Sequence, residues 1–279
     1  MHTGQPSKTA LFVATARARH QMDDQPRIFT DPLALRILDQ SAWVSAGFDE
    51  GQSEELVRQR RLFIAARSRY ADDTIAAATA AGTDQVVILG AGLDTTAYRH
   101  PSTHVRFFEV DHPDTQDYKR HRLAHADIPI PASLTFVPVD FERSTLADAL
   151  AEAGLDRMRR TLFIWLGVVM YLTRQSVDDT LRYIADGGPS ELVFDYFYPL
   201  ASPDDPTSAQ LQNRAALVAA AGEPWKTYFT ADEIRTVLLS FGYHHIEDHP
   251  ASQLLATYGV CATARPSESG PHLVHACTA

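Results

Sequence analysis

The sequence has few cysteines and no long apolar run. Two cysteines in 279 residues, Cys261 and Cys277, form no Cys-x-x-Cys pair, so we expect free thiols rather than a disulfide framework or a metal site. No apolar run reaches the roughly 18 residues that a membrane span needs. The N-terminal stretch lacks the apolar core and cleavage site of a secretory signal. We therefore expect a cytoplasmic protein that does not bind a membrane.

Positive charge is also scarce. Acidic residues outnumber basic ones, 35 against 25, and the formal net charge is −10. Such a surface repels phosphate backbones, which disfavours nucleic acid as a partner. A hydrophobic fraction of 45% with 22% charged residues is ordinary globular composition. With no internal repeat or low-complexity tract, the simplest interpretation is a single domain over residues 1–279.

The sequence up to residue 84 has helical periodicity and no strand signal. The stretch KTALFVATARARH predicts one helix, and TDPLALRILDQ predicts a second that Asp31 would cap. A third, longer helix is predicted to begin after Ser53 and to stop at Gly82. We expect these helices to form an N-terminal cap (1–84) on a core of residues 85–279.

Short apolar runs follow. They are QVVILG (85–90), VRFFEV (105–110), LTFVPV (134–139), TLFIWLGV (161–168) and ELVFDYF (191–197). Near-continuous apolar runs are typical of strands buried on both faces, and helix-compatible segments separate several of them. The pattern predicts an α/β fold with a parallel sheet built from βαβ units. YHHIEDH and HLVHAC are candidates for the last strands.

The composition changes again after the fifth predicted strand. YPLASPDDPTSAQ is typical of a loop, LQNRAALVAAAG predicts a helix, and FTADEIRTVLLSFG predicts another that opens with a capping box of Thr230 and Glu233. We expect residues 198–228 to be a lid-like insertion over the site. Four nearby aromatic residues are candidates for either an apolar substrate wall or the core: Tyr196, Phe197, Tyr198 and Trp225.

Gly90 and Gly92 follow the first predicted strand. In an open α/β sheet, ligands bind at the carboxyl ends of the strands, and glycine leaves room for them; a tight turn without a ligand is the alternative. No lysine follows to make a nucleoside triphosphate loop, and Thr95 stands where a dinucleotide site has its third glycine. Asp94 would also repel a diphosphate. A nucleoside without phosphates, such as S-adenosylmethionine, fits better.

Acidic residues end the next two predicted strands. Asp111, about 20 residues after the glycines, can accept both ribose hydroxyls, a feature shared with NAD enzymes. Asp140 is placed to accept the adenine amino group or, alternatively, to cap a helix. Phe141 is placed to pack on the adenine ring.

These blocks together resemble the leucine carboxyl methyltransferase family, a branch of the class I S-adenosylmethionine-dependent methyltransferases that also holds bacterial and polyketide-pathway O-methyltransferases. The matching blocks, in family order, are KTALFVATARARH, AARSRYADD, GAGLDTTAYR, FFEVDHP, VDFE, GVVMYL and AAGEPWKTYFTADEI. The resemblance implies a Rossmann-like class I methyltransferase fold, with a mostly parallel seven-stranded sheet, helices on both faces, an N-terminal helical layer and an insertion after strand five. It also implies S-adenosylmethionine as the cofactor and S-adenosylhomocysteine as the product.

The resemblance assigns roles to individual residues. The family arginine that holds the cofactor carboxylate matches Arg67, and an assisting lysine matches Lys8. Tyr171 matches a tyrosine near the reacting carboxyl group, and a half-buried structural tyrosine is its alternative reading. The cofactor pocket carries over to Gly90, Gly92, Asp111, Asp140 and Phe141. No metal is implied.

Two positions depart from the family pattern. Thr96 stands where many members have an arginine, and Leu166 stands where the family usually has a glutamate at the end of strand four. If that glutamate contacts the cofactor, the pocket of this chain is less polar.

The expected activity is in-line methyl transfer to a carboxylate of a small molecule or peptide terminus, forming a methyl ester. A carboxylate is ionised at neutral pH and needs no general base, and no histidine stands in a recognisable catalytic context. A phenol or alcohol O-methyltransferase of a natural-product pathway is an alternative, in which a histidine would act as base. An NAD-type oxidoreductase and a non-catalytic cofactor-binding homologue, which Leu166 would favour, also remain open.

Overall fold

The computed structural model describes residues 7–38, 48–49, 51–100, 102–140, 145–199, 206–260 and 270–278. The helices are α1 (Lys8–Asp23), α2 (Glu54–Ala80), α3 (Thr96–Arg99), α4 (Pro113–His125), α5 (Leu146–Glu152), α6 (Arg174–Ala185), α7 (Pro206–Ala220), α8 (Ala231–Ser240) and α9 (Ala251–Thr257). The strands are β1 (Gln85–Leu89), β2 (Arg106–Asp111), β3 (Leu134–Pro138), β4 (Thr161–Trp165), β5 (Ser190–Phe197), β6 (His244–Pro250) and β7 (Pro271–Cys277). A 3-10 turn spans Val169–Tyr171.

All seven strands form one sheet, in the order β3-β2-β1-β4-β5-β7-β6. The first five strands are parallel, and β7 runs antiparallel between β5 and β6. The predicted mostly parallel seven-stranded sheet is thereby confirmed. The chain reverses its direction of winding between β1 and β4, so the crevice beyond their carboxyl ends is where an open sheet binds ligands.

The central strands are buried on both faces, which explains their unbroken apolar runs. On one face, Val87 and Phe163 belong to a cluster that includes residues of α5, α6 and α8. On the other face, Val86 and Leu162 belong to a cluster that includes residues of α2 and α9. The predicted helices on both faces of the sheet are therefore present.

Helix α2 begins and ends where the sequence predicts, and α1 begins at the predicted residue and continues three residues beyond the predicted stretch, to Asp23. The Ser7 hydroxyl accepts the Ala10 amide at the start of α1, and the Ser53 hydroxyl accepts the Leu56 amide at the start of α2. Gly82, with φ of +96°, follows the end of α2. The two helices pack against each other and form a layer beside the sheet.

The helix predicted at Asp31 is wrong. Residues 32–36 form turns, and residues 39 and 40 lie outside the described part of the chain. The buried Asp31 carboxylate does accept the Leu33 amide at 3.0 Å, as a cap would. Its other oxygen accepts the Thr95 hydroxyl at 2.7 Å and lies 3.6 Å from Arg17 Nε. These long-range bonds tie the segment to the turn after β1.

The structure differs from the predicted elements at three further places. The fourth strand stops at Trp165 rather than at residue 168, because the chain turns at Gly167, where φ is +73°. Helix α9 follows β6 directly and was not predicted. The late strands and the capping box of Thr230 and Glu233 on α8 are confirmed. The helix predicted from Leu211 is present as α7, but it begins at Pro206, inside the stretch predicted to be a loop.

No described helix combines the length and the apolar character needed to cross a bilayer. The Cys277 thiol is free, whereas Cys261 lies outside the described residues.

Candidate functional site

A cavity of about 1130 Å³ opens at the carboxyl ends of the parallel strands. Its walls come from the turns after β1, β2 and β4, from α1 and α2, and from the segment around α7. The sheet therefore supplies one side of the cavity and the N-terminal helices and the insertion supply the other.

The two glycines of the turn after β1 both line this cavity. Their φ angles are +66° at Gly90 and +48° at Gly92, a region that favours glycine. A Cβ on Gly90 would lie 2.3 Å from Val168 Cγ2, and one on Gly92 would lie 3.1 Å from the Ala10 Cβ. The glycines thus let the β4 turn and α1 approach closely while keeping the backbone exposed to the cavity.

Asp111, at the end of β2, fixes the same turn. One carboxylate oxygen accepts the Gly92 amide at 2.5 Å and the other accepts the His112 amide at 2.7 Å. Burial raises the pKa of Asp111, and the two amide donors oppose that rise. A carboxylate oxygen has two lone pairs, so each oxygen can still accept a hydroxyl from the cavity.

Asp94 adds a negative charge to the cavity wall. Burial raises its pKa, but the cationic side chains of Arg17, Lys119 and Arg99 more than offset this and lower the pKa overall. An ionised carboxylate at this position repels a diphosphate. Thr96, the first departure from the family pattern, is buried, and its amide donates to Asp94 Oδ1 at 2.7 Å.

Arg67 lines the cavity from α2 and is held by a residue that the sequence analysis missed. Its Nη1 lies 2.5 Å from Asp195 Oδ2, and Asp195 Oδ1 accepts the Gly167 amide at 2.5 Å. Both side chains are buried. The signal was present, because Asp195 is an acid inside the apolar run of β5, but its partner is 128 residues away.

Tyr171 lies in the 3-10 turn after β4 and also lines the cavity. Burial raises the pKa of its hydroxyl, which faces the Trp225 indole and the Thr9 hydroxyl. Glu223, in the insertion, accepts the amides of Lys8 and Thr9 at 3.0 and 3.1 Å. These hydrogen bonds hold the insertion against the start of α1.

Of the remaining predicted site residues, some line the cavity and others do not. Asp140 lines the cavity just beyond β3, and Leu166 lines it beyond β4. Lys8 is exposed and is not part of the lining, although its neighbours Ser7 and Thr9 are. Phe141 lies outside the described residues. The roles of the whole predicted set stay predictions.

The four candidate aromatics divide between core and cavity. Tyr196 is fully buried in the core. Phe197 and Trp225 stack with ring centroids 4.3 Å apart, and both line the cavity. Tyr198 stacks on His272 and is absent from the lining.

This sheet order, with an acid-lined crevice at the point where the winding reverses, defines the class I S-adenosylmethionine-dependent methyltransferases. The chain belongs to the leucine carboxyl methyltransferase family, whose model matches residues 10–185. The predicted family, fold class and cofactor, S-adenosylmethionine, are confirmed.

Named relatives agree with this placement. A Bacillus subtilis (strain 168) protein, YktD, provisionally named an S-adenosyl-L-methionine-dependent methyltransferase, is 31% identical over 284 residues, covering 91% of this chain and 92% of its own. A Mycolicibacterium paratuberculosis protein with the same provisional name is 32% identical, covering 93% and 88%. In fold, the chain resembles the crystal structure of a provisionally assigned methyltransferase from Thermobifida fusca YX, with a TM-score of 0.61, 17% identity and coverage of 99% and 96%.

Proposed function

We propose that this methyltransferase acts on a carboxylate of a small molecule or peptide terminus and forms a methyl ester. The observation that carries the proposal is the lack of a free base beside Tyr171 among the described lining residues. A phenol or alcohol acceptor must lose a proton during the reaction, whereas a carboxylate has already lost it at neutral pH.

Two candidate bases in the described lining, His112 and Glu223, have structural duties. His112 is the one imidazole there, and it caps α4 by accepting the Asp114 amide at Nδ1, 3.2 Å away. Glu223 accepts two backbone amides and the hydroxyl of Thr9 at the start of α1. His112 lies at the start of α4, and Glu223, which is linked to Tyr171 through the Thr9 hydroxyl, already accepts these hydrogen bonds.

The cofactor half of the cavity has groups that fit S-adenosylmethionine. In the proposed arrangement, Asp111 accepts the ribose hydroxyls, Asp140 accepts the adenine amino group, and Arg67 binds the cofactor carboxylate. The Asp195 carboxylate keeps the Arg67 guanidinium in place before the ligand arrives, which reduces the entropy lost on binding.

The cofactor supplies a methyl group on a positively charged sulfur, so the protein has mainly to align the acceptor and exclude water. Tyr171, half-buried at the mouth of β4, orients the acceptor by its hydroxyl. The stacked rings of Phe197 and Trp225 form an apolar wall beside it.

The test uses methyl-labelled S-adenosylmethionine and matched acceptors, each an apolar carboxylic acid paired with its alcohol or phenol analogue. We expect label in the acid products only, and we expect mild alkali to release it as methanol, because esters are hydrolysed and ethers are not. The rate should be flat between about pH 6 and pH 8, well above a carboxyl pKa near 4. Alkali-stable label, with a rate that rises with pH, would instead show a phenol or alcohol acceptor.

A further inference from the structure

Part of the cavity wall beyond the predicted cofactor residues is an apolar cluster, and two arginines, Arg60 and Arg214, lie over one of its aromatic rings. Phe12 packs in a cluster with Ile64 and Val218, and Tyr171 and Trp225 pack against that cluster. The guanidinium of Arg214, on α7, lies 4.5 Å from the centroid of the Phe12 ring. Arg214 therefore lies on the same apolar surface as the tyrosine proposed to orient the acceptor.

Arg214 contributes a buried donor that lacks an acceptor. Its Nη1 atom is shielded from solvent, has no hydrogen-bond partner in the described part of the chain, and belongs to a side chain that lines the cavity. A buried donor without an acceptor destabilises the fold, and a charged one more so, so such a group calls for a specific reason.

The other arginines of the cavity wall do not share this property. Each has an acidic partner within 4 Å: Arg17 has Asp31 and Asp94, Arg58 has Asp24, Arg60 has Asp49, and Arg67 has Asp195. Their charges are neutralised by the protein itself. In the described lining, Arg214 is the arginine whose charge is left for a ligand to neutralise.

A second donor on the same segment faces the same space. The Trp225 indole Nε1 is buried, makes no hydrogen bond of normal geometry, and faces the Tyr171 hydroxyl. Both unused donors belong to the insertion after β5, whereas the cofactor residues belong to the sheet and α2. The insertion thus supplies hydrogen-bond donors together with an apolar wall.

We infer that Arg214, assisted by Trp225, binds the carboxylate of an apolar acid substrate. The inference rests on the proposed function and adds to it a substrate class and a specificity residue. An amphiphilic acid matches both properties of this half of the cavity, since its body fits the aromatic surface and its carboxylate satisfies the guanidinium. A neutral analogue would leave the buried charge unpaired and should bind more weakly.

The test compares two fluorescent probes that share a ring system, the anionic anilinonaphthalene sulfonate and the neutral N-phenylnaphthylamine, on protein saturated with S-adenosylhomocysteine. We expect the wild type to prefer the sulfonate, and Arg214→Gln to weaken sulfonate binding about tenfold or more, the usual worth of a charge-assisted hydrogen bond. Binding of the neutral probe should change less than about twofold. Arg58→Gln is the matched control, because it removes another cavity arginine, one that already has an acidic partner, and should leave both probes unaffected.

Equal sulfonate affinity in the wild type and Arg214→Gln would overturn the inference, as would an equal loss in Arg58→Gln or no preference in the wild type. The proposed function fails separately. If Arg214→Gln forms ester products with an unchanged KM for the acid, Arg214 does not bind the substrate carboxylate. Ester formation itself would still be supported. Ether products would refute ester formation. If Arg214→Gln also abolished the sulfonate preference, the role of Arg214 in anion binding would still stand.

Discussion

Asp111 uses the same carboxylate for the turn after β1 and for the proposed ribose site. Its oxygens already accept the Gly92 and His112 amides, so removing the whole side chain would disturb the backbone as well as the ligand. An asparagine keeps the shape of the side chain and one of the two backbone hydrogen bonds, and it loses the charge and the other bond. That difference makes the amide variant the more informative one.

We expect Asp111→Asn to weaken S-adenosylhomocysteine binding by about 1.5–3 kcal/mol, because hydrogen bonds to an ionised acceptor are lost. Isothermal calorimetry measures this change, and thermal unfolding checks that the fold is retained. Asp114→Asn, another acid of the cavity wall, is the control for loss of negative charge and should bind normally. An unchanged affinity in Asp111→Asn would remove the residue from the cofactor site.

Arg67, the proposed partner of the cofactor carboxylate, is a buried cation with an acidic partner. Its charge is shared with Asp195, so the cofactor carboxylate would meet a guanidinium that is already oriented and partly neutralised. We expect Arg67→Ala to weaken S-adenosylhomocysteine binding by about 1–3 kcal/mol, measured by calorimetry. Arg69→Ala, which removes an exposed arginine paired with Asp73, should have no effect. Equal affinities would place the carboxylate site elsewhere.

Glu109, on β2, and Lys119, on α4, form a fully buried ion pair with their charged atoms 2.6 Å apart. Burial raises the pKa of Glu109 to about 7, against the opposing effect of Lys119. We expect Lys119→Met to lower the free energy of unfolding by about 3–5 kcal/mol, because a buried acid loses its partner. Urea denaturation measures it. The double variant Glu109→Gln, Lys119→Met should recover most of the loss, and a double variant as unstable as the single one would contradict the explanation.

At the scale of elements, the turn after β1 depends on contact with the turn after β4. A Cβ on Gly90 would overlap Val168, whereas one on Gly92 would make a tight contact of 3.1 Å with the Ala10 Cβ, which a shift of a few tenths of an ångström would relieve. We expect Gly90→Ala to lower the free energy of unfolding by about 2–4 kcal/mol through overlap and positive φ, and Gly92→Ala to cost at least about 1 kcal/mol less. Chemical denaturation of both variants measures the difference.

The double variant Gly90→Ala, Val168→Ala separates the two causes, since it removes the overlapping methyl groups and leaves the backbone strain. It should recover the steric part of the loss. If Gly90→Ala and Gly92→Ala proved equally stable, the close contact with Val168 would not be the reason for glycine at position 90.

Local pattern was enough to predict the strands and the two long helices, because apolar runs and caps lie within the elements that they define. It failed where a side chain is used by a distant part of the chain. Asp31 resembles a helix cap, yet Thr95 and Arg17 hold it. Asp195 pairs with Arg67, which is far away in the sequence, and Arg214 Nη1 has no hydrogen-bond partner in the described part of the chain. Neither property can be predicted from residue spacing.

At the scale of the molecule, the cavity exists because three separate parts of the chain meet at one edge of the sheet. Glu223 joins the insertion to α1 through the Lys8 and Thr9 amides, and the Lys226 amide donates to the Met170 carbonyl at 2.7 Å. The insertion is thus bonded both to the helical layer and to the turn that carries Tyr171. These hydrogen bonds fix the insertion relative to the turn that carries Tyr171.

The stability of the whole molecule should also depend on pH through the opposite end of the sheet. His275, on β7, has Glu191 3.4 Å from Nε2 and the Tyr70 hydroxyl 3.2 Å from Nδ1. Burial lowers the pKa of His275, but Cys277 and Glu191 outweigh burial and raise the pKa to about 9. Tyr70 also bonds Glu247 on β6, so further acidic charge lies nearby.

A histidine whose folded pKa exceeds its unfolded value binds its proton more tightly when folded. The stabilisation is therefore complete below about pH 6.5, the unfolded pKa, and is lost as the pH rises toward 9. We expect the free energy of unfolding to fall by up to about 3 kcal/mol across this range in the wild type, and to fall much less in His275→Gln. Urea denaturation at several pH values measures both slopes. Cys277→Ser removes one of the two groups that raise the His275 pKa, so its slope should lie between those of the wild type and His275→Gln. Parallel slopes in the wild type and His275→Gln would show that His275 does not carry the pH dependence.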